Sequence, residues 1–567
     1  MDDFLTALSA KLPASWQWLA RRRLWLAMAW IAAIVGLIQR FHHAHYEFAN
    51  HKSYTTEQER PTGNRGHVQI DFGGQWLMGR MVATGHGRSL YDRNVQWAIV
   101  RAGYPRSDEP PYLREGVFPT SFFPGAGPDD QTNHDAESLM DWVMGADSPS
   151  WPHVGQSIAV PFASANPWSA LAGLPAWQTI DEGLVREVTA PAVGGPLYPP
   201  ILGVLYTPLG LFDRPHKAYA LLQVILLLAI VVAGKGIDYL TRGRIWWPVA
   251  ILVLLLFPGC RSGMDLAQNA AFSVCVLSWG WALIARGKDT AGGAILGLFA
   301  FKPVWALAFF LAPVLLRKWR AARAMALVGL LQIAITLPIV GVHSWREWLT
   351  VGQEASEFYK INMNWIELSR DVGGIVRRPL VDFSKPEAQR ANPQVDRLAW
   401  VALLGVVATT VLIVVTTRNR RATSPLAAFL LFGCYLGCYK FMYYDAMLAS
   451  VGFAALFAET AWCTRRSEDR NRVSWRLFWS VPFLIFVALL LCENVVSTWD
   501  LKGKIPIPFL KSIRPNGLEW EIGFRCAWDT LLIFAVWFWL GVRIVFDRLF
   551  PSAKSFEGSA DIGLTHQ

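Results

Sequence analysis

The chain has 567 residues, 53% of them hydrophobic and 17% charged, with a net charge of +10. Soluble domains carry about 25% charged residues, and here the apolar residues gather in blocks long enough to cross a bilayer, which excludes an ordinary water-soluble enzyme. The positive balance does not describe a nucleic-acid face: residues 42–196 hold 17 acidic and 10 basic side chains, and the surplus Lys and Arg lie in short loops beside apolar blocks, as membrane orientation requires.

In hydrocarbon each segment must satisfy its own backbone hydrogen bonds, so repeated apolar blocks predict helices. The predicted fold is an all-α polytopic membrane protein with about 11–13 transmembrane helices and a long first extracytoplasmic loop. Residues 1–23 form a cytoplasmic N-terminus, marked by Arg21-Arg22-Arg23. The block 24–40 is read as an uncleaved first span, because no small-residue cleavage site follows it. His42, His43 and His45 follow that span; a solvated interfacial cluster is the plainer reading, and neither a divalent metal nor another cofactor is expected.

The loop 41–196 faces outward. Near its start the stretch from Asp71 to Ala83 predicts an amphipathic helix lying on the membrane surface, with Asp71 placed to cap it. Tyr91 follows in Gly87-Arg88-Ser89-Leu90-Tyr91-Asp92. The stretch 105–200 is rich in Pro, Gly and Trp and too long for a passive connector.

Residues 197–342 form a transmembrane core. Lys235, Arg242 and Arg244, together with Arg286 and Lys288, all read as cytoplasmic, which conflicts with strict alternation from an outward loop unless 197–212 fails to cross or 246–258 does. Arg261 lies in a polar loop between spans, and Gln268 and Asn269 lie inside an apolar one, where they bind a ligand or bridge helices. The block 291–316 reads as a hairpin with both ends inside and Phe301-Lys302-Pro303 at its apex, which aims a lysine into the membrane; such a residue usually faces a cavity or a partner. Residues 343–397 form a second outer loop, 398–550 the C-terminal spans and 551–567 a cytoplasmic tail. Lys440, Tyr443, Tyr444 and Asp445 open an otherwise apolar span, and two phenols with a carboxylate suit a sugar. All seven cysteines lie in or beside apolar blocks, so no disulfide framework is expected in the outer loop.

Several phrases, taken in order, resemble glycosyltransferase family 87. They are Asp71-Phe72 followed by Gly87-Arg88-Ser89-Leu90-Tyr91; the Pro-rich run from Tyr198-Pro199-Pro200 to Tyr206-Thr207-Pro208-Leu209; Gln268-Asn269, with Ala267 in place of the family's Gly; Ala291-Gly292-Gly293 to Lys302-Pro303; Asn364-Trp365-Ile366-Glu367-Leu368; and Tyr443-Tyr444-Asp445. The resemblance spans roughly 67–460. It implies a GT-C-type bundle in the plasma (inner) membrane with both termini cytoplasmic. It further implies transfer of a hexose, mannose by preference, from a polyprenyl-phosphate donor to a lipid or glycan acceptor on the extracytoplasmic face, with inversion. Asp71 is then the base, and the cations Lys302, Arg261 and Lys440 meet the leaving phosphate. A transporter or flippase for lipid-linked sugars is the rival class; it would favour internal repeats, and none is visible. A surface-glycan ligase or polymerase shares the same donor and side.

Overall fold

The computed structural model describes residues 13–49, 67–92, 197–212, 215–417, 421–458, 481–491, 503–507, 518–522 and 527–549, with Ala10 and Gln96 besides. In chain order the α-helices are α1 (Arg22–Ala49), α2 (His67–Ala83), α3 (Pro200–Leu205), α4 (Thr207–Gly210), α5 (Pro215–Leu240), α6 (Trp247–Leu256), α7 (Cys260–Asp265), α8 (Ala270–Ala285), α9 (Asp289–Gly297), α10 (Pro303–Leu315) and α11 (Trp319–Ile361). There follow α12 (Met363–Leu368), α13 (Val372–Leu380), α14 (Pro393–Thr416), α15 (Pro425–Leu436), α16 (Ala449–Phe457), α17 (Val481–Leu491) and α18 (Trp528–Leu549). The helical membrane-protein fold is as expected. The one departure from all-α among the described residues is an antiparallel pair, β1 (Gly503–Ile507) with β2 (Leu518–Ile522), in register from Gly503↔Ile522 to Ile507↔Leu518.

Five helices, α1, α5, α11, α14 and α18, are long and apolar enough to cross a bilayer. Others are much shorter. At 1.5 Å per residue, α6 with its 10 residues reaches only about 15 Å, half of a hydrocarbon core. Short apolar helices are tolerated there because their turns are buried in protein rather than lipid.

The topology conflict resolves in the segment 197–212. It forms α3 and α4, of six and four residues, which lie against α2 and do not cross. Helix α5 then runs the full distance. Its first turns put Tyr219 Oη 2.9 Å from the Asp265 carbonyl, and its last residue, Leu240, lines a cavity with Arg242, Gly287, Lys318 and Arg421. The turns after α5, α8 and α10 and the segment before α15 therefore share one end of the bundle.

From that end three hairpins rise and turn back inside it: α6 to α8 through 257–269, α9 to α10 through 298–302, and α15 to α16 through 437–448. The other end carries α2 and the second half of α11. Helix α11 is broken at Gly341 (φ +72°, ψ 164°), a left-handed backbone that glycine adopts freely. The expected outer loop 343–397 is thus largely helical, built from that half-helix with α12 and α13.

Glycines let the tips meet. A methyl group on Gly259 (φ +86°) would fall 2.6 Å from the Tyr444 carbonyl oxygen, and one on Gly79 would fall 2.2 Å from that of Tyr206.

Candidate active site

Lys302 lies at the break between α9 and α10, at the apex where the sequence places it. Its Nζ donates to both carboxylate oxygens of Asp445, at 2.6 and 2.7 Å. Asp445 is 1% exposed and the Lys302 side chain 12%, so the two charges neutralise each other away from water. The Tyr444 ring lies 5.1 Å from the same Nζ. Two candidates separated by 143 positions in the chain are joined in one ion pair.

The second tip presents Gln268 and Asn269, both buried. Tyr198 Oη donates to Gln268 Oε1, and Tyr206 Oη donates to Asn269 Oδ1. The Gln268 Nε2 and Asn269 Nδ2 groups remain buried without a hydrogen-bond acceptor among the described residues. An unmet buried donor costs about 1–3 kcal/mol, so two adjacent ones point to an acceptor-rich ligand. Before them, Ala267 sits at φ +50°, a left-handed conformation that is easy for glycine and costly for alanine.

Helix α2 docks on this tip. Gln75 Nε2 donates to the Ala267 carbonyl at 3.0 Å, and Phe72 packs edge-on against Tyr219, with ring centroids 5.2 Å apart. The helix begins at His67, so Asp71 lies one turn inside it and does not occupy its N-cap. Asp71 precedes Gln75 by one turn; its side chain lies outside the described residues. Tyr91 is reached from the same segment: its hydroxyl donates to the Tyr198 carbonyl at 2.5 Å, and burial pushes its pKa well above the ordinary value, with Glu347 adding to the effect. Tyr91 therefore positions Tyr198, which in turn orients Gln268.

Two of the tips touch: within the first the Gln268 N–H donates to the Gly263 carbonyl at 2.7 Å, and a methyl on Gly263 would come within 3.7 Å of Tyr444 Cβ on the last. Tyr443 is buried against Leu266 and Leu368.

Arg261 takes a different direction. Its Nη2 lies 2.7 Å from His43 Nε2 and its Nε 3.7 Å from Asp265 Oδ2, with His43 Nδ1 3.4 Å from Asp265 Oδ1. This triad ties the end of α1 to α7 and does not extend the Lys302–Asp445 pair. His43 of the histidine cluster is thereby engaged by protein; among the described residues no group of three His, Cys, Asp or Glu forms a metal cage.

Lys440 lies in the last tip, just after α15, with Nζ 4.6 Å above the Tyr359 ring and 5.6 Å from that of Tyr439. Burial pulls its pKa down to about 8, against an opposing pull from Asp371. Beside it stands a buried cluster that the sequence reading missed. Arg370 donates to Asp529 Oδ2 at 3.0 Å and places its guanidinium 5.9 Å from the Tyr443 ring. Asp371 accepts from Ser369 Oγ and, at 2.8 Å, from the Gly374 N–H as the N-cap of α13. The available signal was Ser369-Arg370-Asp371 ahead of Gly373-Gly374, an N-cap pattern carrying a charge pair directly after an apolar turn.

The comparisons now bear on these residues. A family model, glycosyltransferase family 87, matches residues 197–439. The match covers somewhat less than half of the chain, and it supports reading the protein as a membrane glycosyltransferase. No curated protein and no solved structure matched. The matched segment includes Arg261, Gln268, Asn269 and Lys302. It begins after Asp71 and Tyr91 and stops one residue before Lys440, so α2 and the last tip complete the site from outside it.

Proposed function

We propose that this enzyme moves a hexose, mannose by preference, from a polyprenyl-phosphate donor to a lipid or glycan acceptor on the extracytoplasmic face of the plasma (inner) membrane, with both termini cytoplasmic. The observation that carries this reading is the pair of unmet buried donors, Gln268 Nε2 and Asn269 Nδ2, on a tip that reaches Tyr444 through Gly263, while the Lys302–Asp445 pair meets the ring of the same Tyr444. Amide N–H groups, a cation and an aromatic face suit a sugar that carries a phosphate.

In this reaction Asp71 takes the proton of the acceptor hydroxyl as its oxygen attacks the anomeric carbon from the face opposite the phosphate. The anomeric C–O bond to phosphate breaks, configuration inverts, and polyprenyl phosphate leaves with the bonding electrons. Negative charge grows on the phosphate, where fixed cations are most effective. Lys302 serves there through exchange of its Asp445 partner for the phosphate, and Lys440 as the second cation. Arg261 braces the Gln268 tip through His43 and Asp265. Tyr443, Tyr444 and Asp445 shape the sugar subsite, and Tyr91 holds its wall. No metal or other cofactor enters any step.

The test is transfer of radiolabel from polyprenyl-phosphate mannose to a lipid acceptor pool by the purified protein in nanodiscs, comparing wild type with Asp71→Asn. The expected result is loss of at least several hundredfold in an equally folded variant. Undiminished transfer would remove Asp71 as the base, and absence of transfer by wild type would overturn the donor.

A further inference from the structure

At the end of the bundle opposite the candidate active site lies a cavity of about 580 Å³. Four cations stand around it, Arg242, Arg244, Lys318 and Arg421, while Leu240 and Ile284 contribute to an apolar floor. The volume falls within the range of about 300–1,000 Å³ typical of ligand sites.

Helix C-termini account for part of this charge. The helices α5, α8 and α10 end here, and their last carbonyls attract cations. Arg244 donates to the Ala458 carbonyl at the end of α16, and Arg286, behind the rim, donates to that of Tyr239 at 2.8 Å. Lys318 has one carboxylate neighbour, Asp289 at 3.3 Å. Arg242 is not explained in this way: it is exposed and has no side-chain partner among the described residues. Its backbone at φ +57°, followed by Gly243 at +76°, places it at the rim by turn geometry. Among the described residues the cavity lining holds four basic side chains and no carboxylate, with Asp289 meeting Lys318 from outside it. Scattered orientation charges would not need to share a cavity.

We propose that this cavity binds a phosphate-bearing anion, supplied in the membrane by the headgroup of an anionic phospholipid. The cationic rim meets the phosphate, and the apolar floor meets the glycerol and the first carbons of the chains. Basic pockets between membrane helices recognise lipid headgroups in this way. The site is independent of the transfer reaction.

The test uses the full-length protein, delipidated in detergent. Native mass spectrometry titrates phosphatidylglycerol, phosphatidylcholine and inorganic phosphate against three forms: wild type, Arg242→Gln/Arg421→Gln, and Arg320→Gln/Arg323→Gln. The last pair removes the same charge from the exposed start of α11, beside the cavity but outside its lining. All four side chains replaced in these variants are exposed, and circular dichroism checks that each form is folded. A basic residue at an anionic surface contributes roughly a fivefold effect, so the cavity variant should bind phosphatidylglycerol about 25-fold more weakly, with the control close to wild type and phosphatidylcholine weak throughout. If inorganic phosphate rather than phosphatidylglycerol shows the variant-sensitive binding, the anion site stands and its source is soluble. Equal losses in both double variants, or none in the cavity variant, would overturn the proposal.

Discussion

The Lys302–Asp445 pair is the sharpest feature at the scale of single residues. Removing one partner of a buried ion pair strands the other and costs about 3–5 kcal/mol, whereas replacing both with apolar groups of similar volume is often nearly neutral. Asp445→Leu alone should therefore lower the melting temperature strongly. Lys302→Met/Asp445→Leu should restore most of it while leaving transfer lost, a split read by thermal unfolding alongside the transfer assay; a double variant that still transfers sugar would make the pair structural. Lys440 gives a pH signature. With its pKa near 8, the ammonium is charged at neutral pH and discharges as pH rises through 8, so donor KM should climb between pH 7 and 9. Lys440→Arg keeps its charge and should flatten that climb. A KM profile identical in the two proteins would separate Lys440 from donor binding. The sequence exposed Lys302 and Asp445 because charges are rare and costly in apolar blocks. It did not expose their pairing, since 143 intervening positions carry no register. Arg370 and Asp371 escaped notice because they fall in a segment read as an outer loop, where charge is ordinary.

At the scale of elements, the hairpin tips and the docking of α2 depend on close backbone approach. Gly259→Ala would put a methyl 2.6 Å from the Tyr444 carbonyl at a backbone of φ +86°, where neither side can give. Overpacking of this kind costs about 1–3 kcal/mol, so a clear loss of melting temperature is expected. Gly352→Ala, with nothing within 4 Å of the added methyl, is the matched control and should be neutral or slightly stabilising; equal behaviour of the two would contradict the tip contact. The Lys302 hairpin was legible from its two short apolar arms and its Lys-Pro apex. A helix near Asp71 was legible, but not its setting: every described side chain from Phe72 to Ala83 is buried, so it is an enclosed helix and not the expected amphipathic one on the membrane surface, and its start at His67 displaces Asp71 from the expected cap. The non-crossing α3–α4 was legible only as a conflict: three prolines in 197–212 shorten the helices to a few residues, and hydropathy alone does not register that.

For the whole molecule, the account places the turns 241–246, 286–288, 317–318 and 421–423 on one side of the membrane and the second half of α11 on the other. Single cysteines introduced at Gly287 and Thr423 should react with an impermeant maleimide from the cytoplasmic side, and one at Glu357 from outside; Thr423 and Glu357 reacting from the same side would refute the arrangement. The helical, multi-pass character was readable from composition because lipid permits few alternatives. The convergence of three tips was not, because it depends on contacts between segments far apart in the chain. The central claim is that these tips and α2 form one sugar-transfer site, and its most direct test is the transfer rate of Gln268→Leu/Asn269→Leu beside wild type. These changes delete both unmet donors and leave two tyrosine hydroxyls without acceptors, so the opposing stability effects, each of about 1–3 kcal/mol, should nearly cancel. The account predicts a melting temperature within a few degrees of wild type and a fall in transfer of about a hundredfold or more. A variant that transfers sugar as fast as wild type would contradict it.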